Sequence, residues 1–144
     1  MATTFVPSSP VLFAWKPEYS VGIREIDQQH KKLVSLLNDL HAAMKAGQAA
    51  DALDKILQDL ITYTRIHFQA EERLMEAHSF PGAGQHKQEH ARLTQQVVDF
   101  YNRSRGGNLS VTVQLLSFLK EWLVNHILHT DKNYGPFLNS RGVR

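Results

Sequence analysis

Seven residues of this chain could together do metal chemistry: His30, His67, Glu71, His86, His90, His126 and Asp131. Imidazole is the commonest metal ligand among side chains, and carboxylate oxygens complement it at sites for first-row cations. The chain has eight histidines and no cysteine, which excludes disulfides, thiolate zinc sites, iron–sulfur clusters and thiol catalysis. His67-x3-Glu71 and His86-x3-His90 are i,i+4 pairs, so on helices each pair points one way. His126 and Asp131 are i,i+5 and on a regular helix would diverge by about 140°. The helix is therefore expected to loosen or to carry a π-type bulge between them, as happens at functional sites. Nitrogen and carboxylate ligands without sulfur suit iron, manganese, zinc or cobalt, and the residues alone do not choose among these.

The elements that must position these side chains are helical. Four amphipathic stretches are expected, at 23–46, 49–78, 84–105 and from about 108–110 to beyond Asp131, toward Gly135-Pro136. Their apolar stripes advance by threes, fours and sevens. On the first the stripe is Ile26, Leu33, Leu37, Leu40 and Met44, with His30 among them; on the second it is Leu53, Leu57, Leu60, Thr64, His67, Glu71 and Leu74. The third carries His86, His90, Leu93, Val97 and Phe100, and the fourth Thr112, Leu115, Leu119, Trp122, Leu123 and His126. Pro81-Gly82, Gly106-Gly107 and Gly47 separate them. Four such helices on short loops predict an all-α fold, an antiparallel up-down-up-down four-helix bundle. The expected organisation is an irregular arm at 1–20, the bundle at 21–139 and a tail at 140–144.

Helix order then brings the polar residues together. His30 comes early in the first helix, His67 and Glu71 late in the second, His86 and His90 early in the third, His126 and Asp131 late in the fourth. Alternating direction puts early and late positions at one end of the bundle. Burying five imidazoles and two carboxylates there without partners would be costly, and two adjacent carboxylates repel. A dinuclear cation removes both difficulties.

The rest of the chain excludes several function classes. The 144 residues, 42% hydrophobic and with a formal net charge of +2, suit one folded domain. No run of like charge supports binding to nucleic acid or an anionic membrane. No segment approaches the ~18 apolar residues needed to span a bilayer, and the first fourteen residues, with no basic residue, lack the pattern of a signal peptide. A cytoplasmic protein is expected.

Several motifs together resemble the hemerythrins, particularly the bacterial single-domain ones. They are Ile26-Asp27-Gln28-Gln29-His30-Lys31-Lys32-Leu33, His67-Phe68-x2-Glu71-Glu72-x2-Met75, His86-x3-His90 and Trp122-x3-His126-Ile127-x3-Asp131-Lys132. The segment from Phe13-x-Trp15 through Ser20-Val21-Gly22-Ile23 is similar as well, and the resemblance covers roughly residues 12–138. It implies two non-haem irons with an oxo or hydroxo bridge. His86, His90 and His126 would bind one iron, His30 and His67 the other, and Glu71 and Asp131 would bridge them. It also implies reversible binding of dioxygen end-on at the iron with two histidines, as a hydroperoxide hydrogen-bonded to the bridge. Leu33, Phe68, Trp122 and Leu128 would line an apolar pocket that keeps water and protons away.

The other three histidines are expected in plainer roles. His41 and His78 are expected to be partly exposed or packing residues. By helical phase His129 rivals Asp131, and the resemblance favours Asp131. Glu72 points about 100° from Glu71 and is expected in solvent. Asp27 is expected either behind the metal ligands or capping the first helix. Phe68 and Trp122 would fit an ordinary core as well as a pocket.

Oxygen storage, transport or delivery is the leading function. The alternatives are an oxygen or redox sensor acting through a protein partner, and a di-iron enzyme acting on peroxide or nitric oxide. An enzyme is not expected: the chain has no Glu-x-x-His, the motif of ferritin-like di-iron enzymes, and no His-Glu-x-x-His. Monomer and homo-oligomer are both compatible with the sequence.

Overall fold

The computed structural model describes residues 13–47, 50–104, 109–126 and 131–144, with the backbone alone for 50–53, 104, 109–112 and 131. A short 3-10 turn at Pro17–Tyr19 precedes five helices: α1 Arg24–Lys45, α2 Ala50–Ala77, α3 Ala83–Ser104, α4 Leu109–Asn125 and α5 Asp131–Ser140. Among the described residues there is no strand. Helix α1 packs on α2, α2 on α3, α3 on α4, and α4 back on α1. That closed ring of sequential neighbours is the four-helix bundle expected from the seams.

The seams bury as their spacing requires. On α1, Ile26, His30, Leu33, Leu37 and Leu40 are shut off from solvent; on α2, Leu57, Leu60, Thr64, His67 and Glu71 are; on α3, His86, His90, Leu93 and Val97. Helix α4 contributes Leu115, Leu119, Trp122 and Leu123, and the π turn that follows it adds His126. The Thr64 hydroxyl is satisfied within its own helix, donating to the Leu60 carbonyl at 2.7 Å. His41 and His78 lie at intermediate exposure, as expected of flanking positions, whereas Met44, Leu74 and Phe100, expected on the stripes, are only half-buried. Leu53 and Thr112 lie outside the described side chains.

The turn between α2 and α3 fixes where the histidines of α3 meet α2. Ser79 adopts a left-handed conformation at φ 55°, and the Phe80 N–H donates back to the Met75 carbonyl at 2.9 Å. This is a tight helix stop of the kind usually made with glycine. It lets α3 begin at Ala83, so that His86 and His90 run back beside Glu71.

Two expectations change here. The last helical stretch was expected to fade at Gly135-Pro136, but α5 runs through both to Ser140. Gly135 serves as a docking point instead. A Cβ there would come within 2.7 Å of the Val21 carbonyl oxygen, so only glycine allows α5 to lie against the segment leading into α1. That contact seats Tyr134 and Leu138 in a small second core with Val21, Ile23, Ile26 and Met75.

Asp27 is the second. It does not cap the N-terminal amides of α1, whose cap residue is Ile23, and its carboxylate turns to the lead-in segment instead of the buried histidines. Its carboxylate accepts from the Val21 N–H at 2.9 Å and from the Ser20 hydroxyl, fastening the lead-in segment. Farther out, the Asn38 side chain clamps Phe13, accepting from its N–H at 3.0 Å and donating to its carbonyl at 2.8 Å. Phe13 is buried in the main core, so this part of the arm is packed.

Candidate metal centre

Six of the seven side chains singled out in the sequence converge at one level of the bundle. His30, His67, Glu71, His90 and His126 are at most 2% exposed, and His86 is 6% exposed. They come from all four bundle helices. Ligand atoms of His30, His67, Glu71 and His126 lie within 4.8 Å of one another, and so do those of Glu71, His86, His90 and His126. Glu71 and His126 belong to both groups. The geometry is thus two overlapping polar pockets sharing a carboxylate, a shape that fits two cations side by side. Asp131 opens α5, but its side chain lies outside the described residues, as do Leu128 and His129. Helix α4 gives way after Asn125, and His126 is itself in a π-helical turn. The expected loosening thus starts at His126; residues 127–130 lie outside the described ones.

The electrostatics of the cluster point to a cation. Glu71 Oε1 lies 3.0 Å from His126 Nε2, 3.1 Å from His67 Nε2 and 3.3 Å from His90 Nε2. His67 Nδ1–H donates to Gln29 Oε1 at 2.8 Å, and His90 Nδ1–H donates to Glu72 Oε2 at 2.8 Å. Both acceptor oxygens have no proton to give, so Nδ1 of each ring carries a proton and Nε2 is the atom left to face inward; the neutral form of each ring presents a lone pair there. In that form the lone pairs face a carboxylate oxygen, a repulsion relieved only by a proton or a cation between them. His90 Nε2 is buried and makes no hydrogen bond at all. A metal ion among these atoms would accept both the imidazole lone pairs and the carboxylate oxygen. The donor set, imidazole and carboxylate without sulfur, matches first-row divalent and trivalent ions.

Three residues that shape the centre were not anticipated. Gln29 orients His67 from α1, and Glu72 orients His90 from α2. The expectation that Glu72 faces solvent fails: its phase takes it into the groove toward α3, where the side chain is 24% exposed. Tyr134, fully buried on α5, donates its hydroxyl to Glu71 Oε2. The available signal was adjacency, since Gln29 and Glu72 each stand next to a ligand-type residue and face the neighbouring helix. Tyr134 had no such signal, because Gly135-Pro136 read as a stop.

Apolar rings close the cluster. Phe68 stacks flat on His90, with centroids 3.8 Å apart at 5°, and Trp122 stacks on His126 at 5.4 Å and 27°. Phe68 and Trp122 meet edge to face at 5.7 Å. Leu33 is fully buried three residues beyond His30. On the other flank the Trp15 ring lies 6.5 Å from that of His30, with the Lys31 ammonium 5.5 Å from the Trp15 centroid.

Comparison with known proteins agrees with this geometry. Residues 21–138 match the family model described as the hemerythrin HHE cation binding domain. The chain is 34% identical over 123 residues to a bacteriohemerythrin of Stenotrophomonas maltophilia, covering 85% of this chain and 79% of that one. It is 32% identical over 130 residues to a bacteriohemerythrin of Methylococcus capsulatus, covering 90% and 98%. A hemerythrin-like protein of Naegleria gruberi is 34% identical over 134 residues, covering 93% and 97%. A crystal structure of wild-type hemerythrin superposes with a TM-score of 0.81 at 33% identity, over 88% of this chain and 98% of that one. With the bundle, the buried histidine–glutamate cluster and these matches in agreement, this chain belongs to the hemerythrin family.

Proposed function

We propose that this chain binds dioxygen reversibly at two non-haem irons, for storage, transport or delivery. The observation that carries the proposal is the pair of overlapping ligand groups, with Glu71 common to both. His86, His90 and His126 would hold one iron, His30 and His67 the other, and Glu71 and Asp131 would be shared between them. The irons, when bound, supply the electrons and the vacant coordination position that dioxygen requires.

The chain supplies the rest. Gln29 and Glu72 fix the rotamer and tautomer of His67 and His90, so both rings reach the metals ready to bind. Tyr134 holds Glu71 through its second oxygen, which keeps the shared carboxylate in place. Phe68, Trp122 and Leu33, with Leu128 as a fourth candidate, exclude water. A dry surround slows proton delivery, and proton delivery is what turns reversible oxygen binding into loss of peroxide. The histidine-rich ligand set supports a binding protein over an oxygen-activating enzyme.

The test is optical. The protein loaded anaerobically with two ferrous ions is exposed to oxygen and then to an inert gas while the visible spectrum is recorded. Charge-transfer bands that appear with oxygen and vanish on its removal are expected. Direct passage to a stable oxidised spectrum with peroxide in solution would overturn reversible binding and favour redox sensing or catalysis.

A further inference from the structure

Two of the inward-facing histidines are oriented by partners of unequal charge. His90 Nδ1–H donates to the carboxylate of Glu72 at 2.8 Å, whereas His67 Nδ1–H donates to the neutral amide oxygen of Gln29 at the same 2.8 Å. The two contacts match in length and in the atoms of the ring they use. They differ in the charge of the acceptor and in its exposure, Gln29 being buried and the Glu72 side chain 24% exposed. His90 belongs to one of the two ligand groups and His67 to the other.

A carboxylate pulling on Nδ1–H pushes electron density onto Nε2 and makes the ring a stronger donor, while an amide carbonyl does so more weakly. The Glu72 charge also acts directly on a nearby cation, and with the side chain 24% exposed it is only partly screened. Both effects favour the more highly charged metal ion on the His90 side.

We propose that Glu72 and Gln29 make the two halves of the centre electronically unequal, so that the half containing His90 gives up its electron first. The inference rests on the reading of the site as a pair of irons. In balanced form, a one-electron outer-sphere oxidant such as ferricyanide takes one electron from the diferrous centre and becomes ferrocyanide. One iron becomes ferric beside a ferrous neighbour. No bond in the chain forms or breaks, Glu72 stays ionised, and the Nδ1 proton stays on His90.

The experiment is a redox titration of the loaded protein, with iron per chain measured for every variant. Wild type should show two one-electron steps. Glu72→Gln should raise the first potential by about 60 mV, a tenfold loss of ferric over ferrous preference at about 59 mV per tenfold. Gln29→Glu should lower the second by a similar amount. Either substitution alone therefore narrows the gap between the steps, and Glu72→Asp, which keeps the charge, should move it less than Glu72→Gln. If Glu72→Gln loses iron, Gln29→Glu decides alone: a narrowed gap supports the inference and an unchanged or wider gap overturns it. Two irons per chain with unmoved potentials in both variants overturns the inference and leaves the di-iron reading standing. A wild-type chain that never takes up two irons overturns both.

Discussion

The two halves of this bundle's core stand on the same four helices and obey the same spacing, yet they are filled with opposite chemistry. In one half Leu37, Leu40, Leu57, Leu60, Leu115 and Leu119 interdigitate. Burying them stabilises the fold outright, at about 25 cal/mol per Å² of apolar surface. In the other half the same seam positions hold His30, His67, Glu71, His86, His90 and His126, all buried. There burial costs free energy unless each polar atom is partnered, and Glu71 Oε1, 3.1 and 3.3 Å from the Nε2 atoms of His67 and His90, is a place where a proton or a cation is needed. The apolar half holds the helices in register, and that rigidity keeps the six polar side chains of the other half at one level.

The contrast yields predictions that a stability series can check. The largest effect is that of the metal, since an ion that binds only the native state at about 1,000 times its dissociation constant adds about 4 kcal/mol. Chelation should therefore lower the urea midpoint of the wild-type protein substantially. Next, Leu37→Ala in the apolar half should cost about 3 kcal/mol through the cavity it leaves, equally in apo and loaded protein. An effect confined to the loaded form would break the division between the halves.

A smaller and opposite effect is expected from Glu71→Leu combined with Tyr134→Phe. Exchanging a buried polar pair for apolar groups is neutral or stabilising, so the apoprotein should gain about 1 kcal/mol while iron uptake is abolished. The Tyr134 change is included because its buried hydroxyl would otherwise lose its acceptor. The smallest effect belongs to the boundary. Thr64 lies between Leu60 and His67 on α2 with its hydroxyl already satisfied by its own helix, so Thr64→Val should change urea stability by no more than about 1 kcal/mol and leave metal content intact.

Much of this was legible in the sequence, for a physical reason. The seam of an amphipathic helix is dictated by period, so His30, His67, Glu71, His86, His90 and His126 could be placed at one level from helix order alone. The partners were less legible because they lie off the seam. Glu72 is a quarter-turn or so from Glu71 and would be solvated on an isolated helix; it becomes a hydrogen-bond acceptor because α3 crosses beside it. Tyr134 was hidden by Gly135-Pro136, which stop most helices. Here the glycine permits a close approach to the Val21 carbonyl that a sequence pattern cannot reveal. Residue type and period encode what lines the core; the groove contacts depend on how neighbouring helices meet.

The most direct test of the dinuclear centre is an anaerobic titration of the metal-free protein with ferrous iron, following bound metal per chain in wild type and in Glu71→Leu/Tyr134→Phe. A break at two irons per chain is expected in wild type and none in the double variant. A break at one iron in wild type, or undiminished binding without Glu71, would contradict the dinuclear centre.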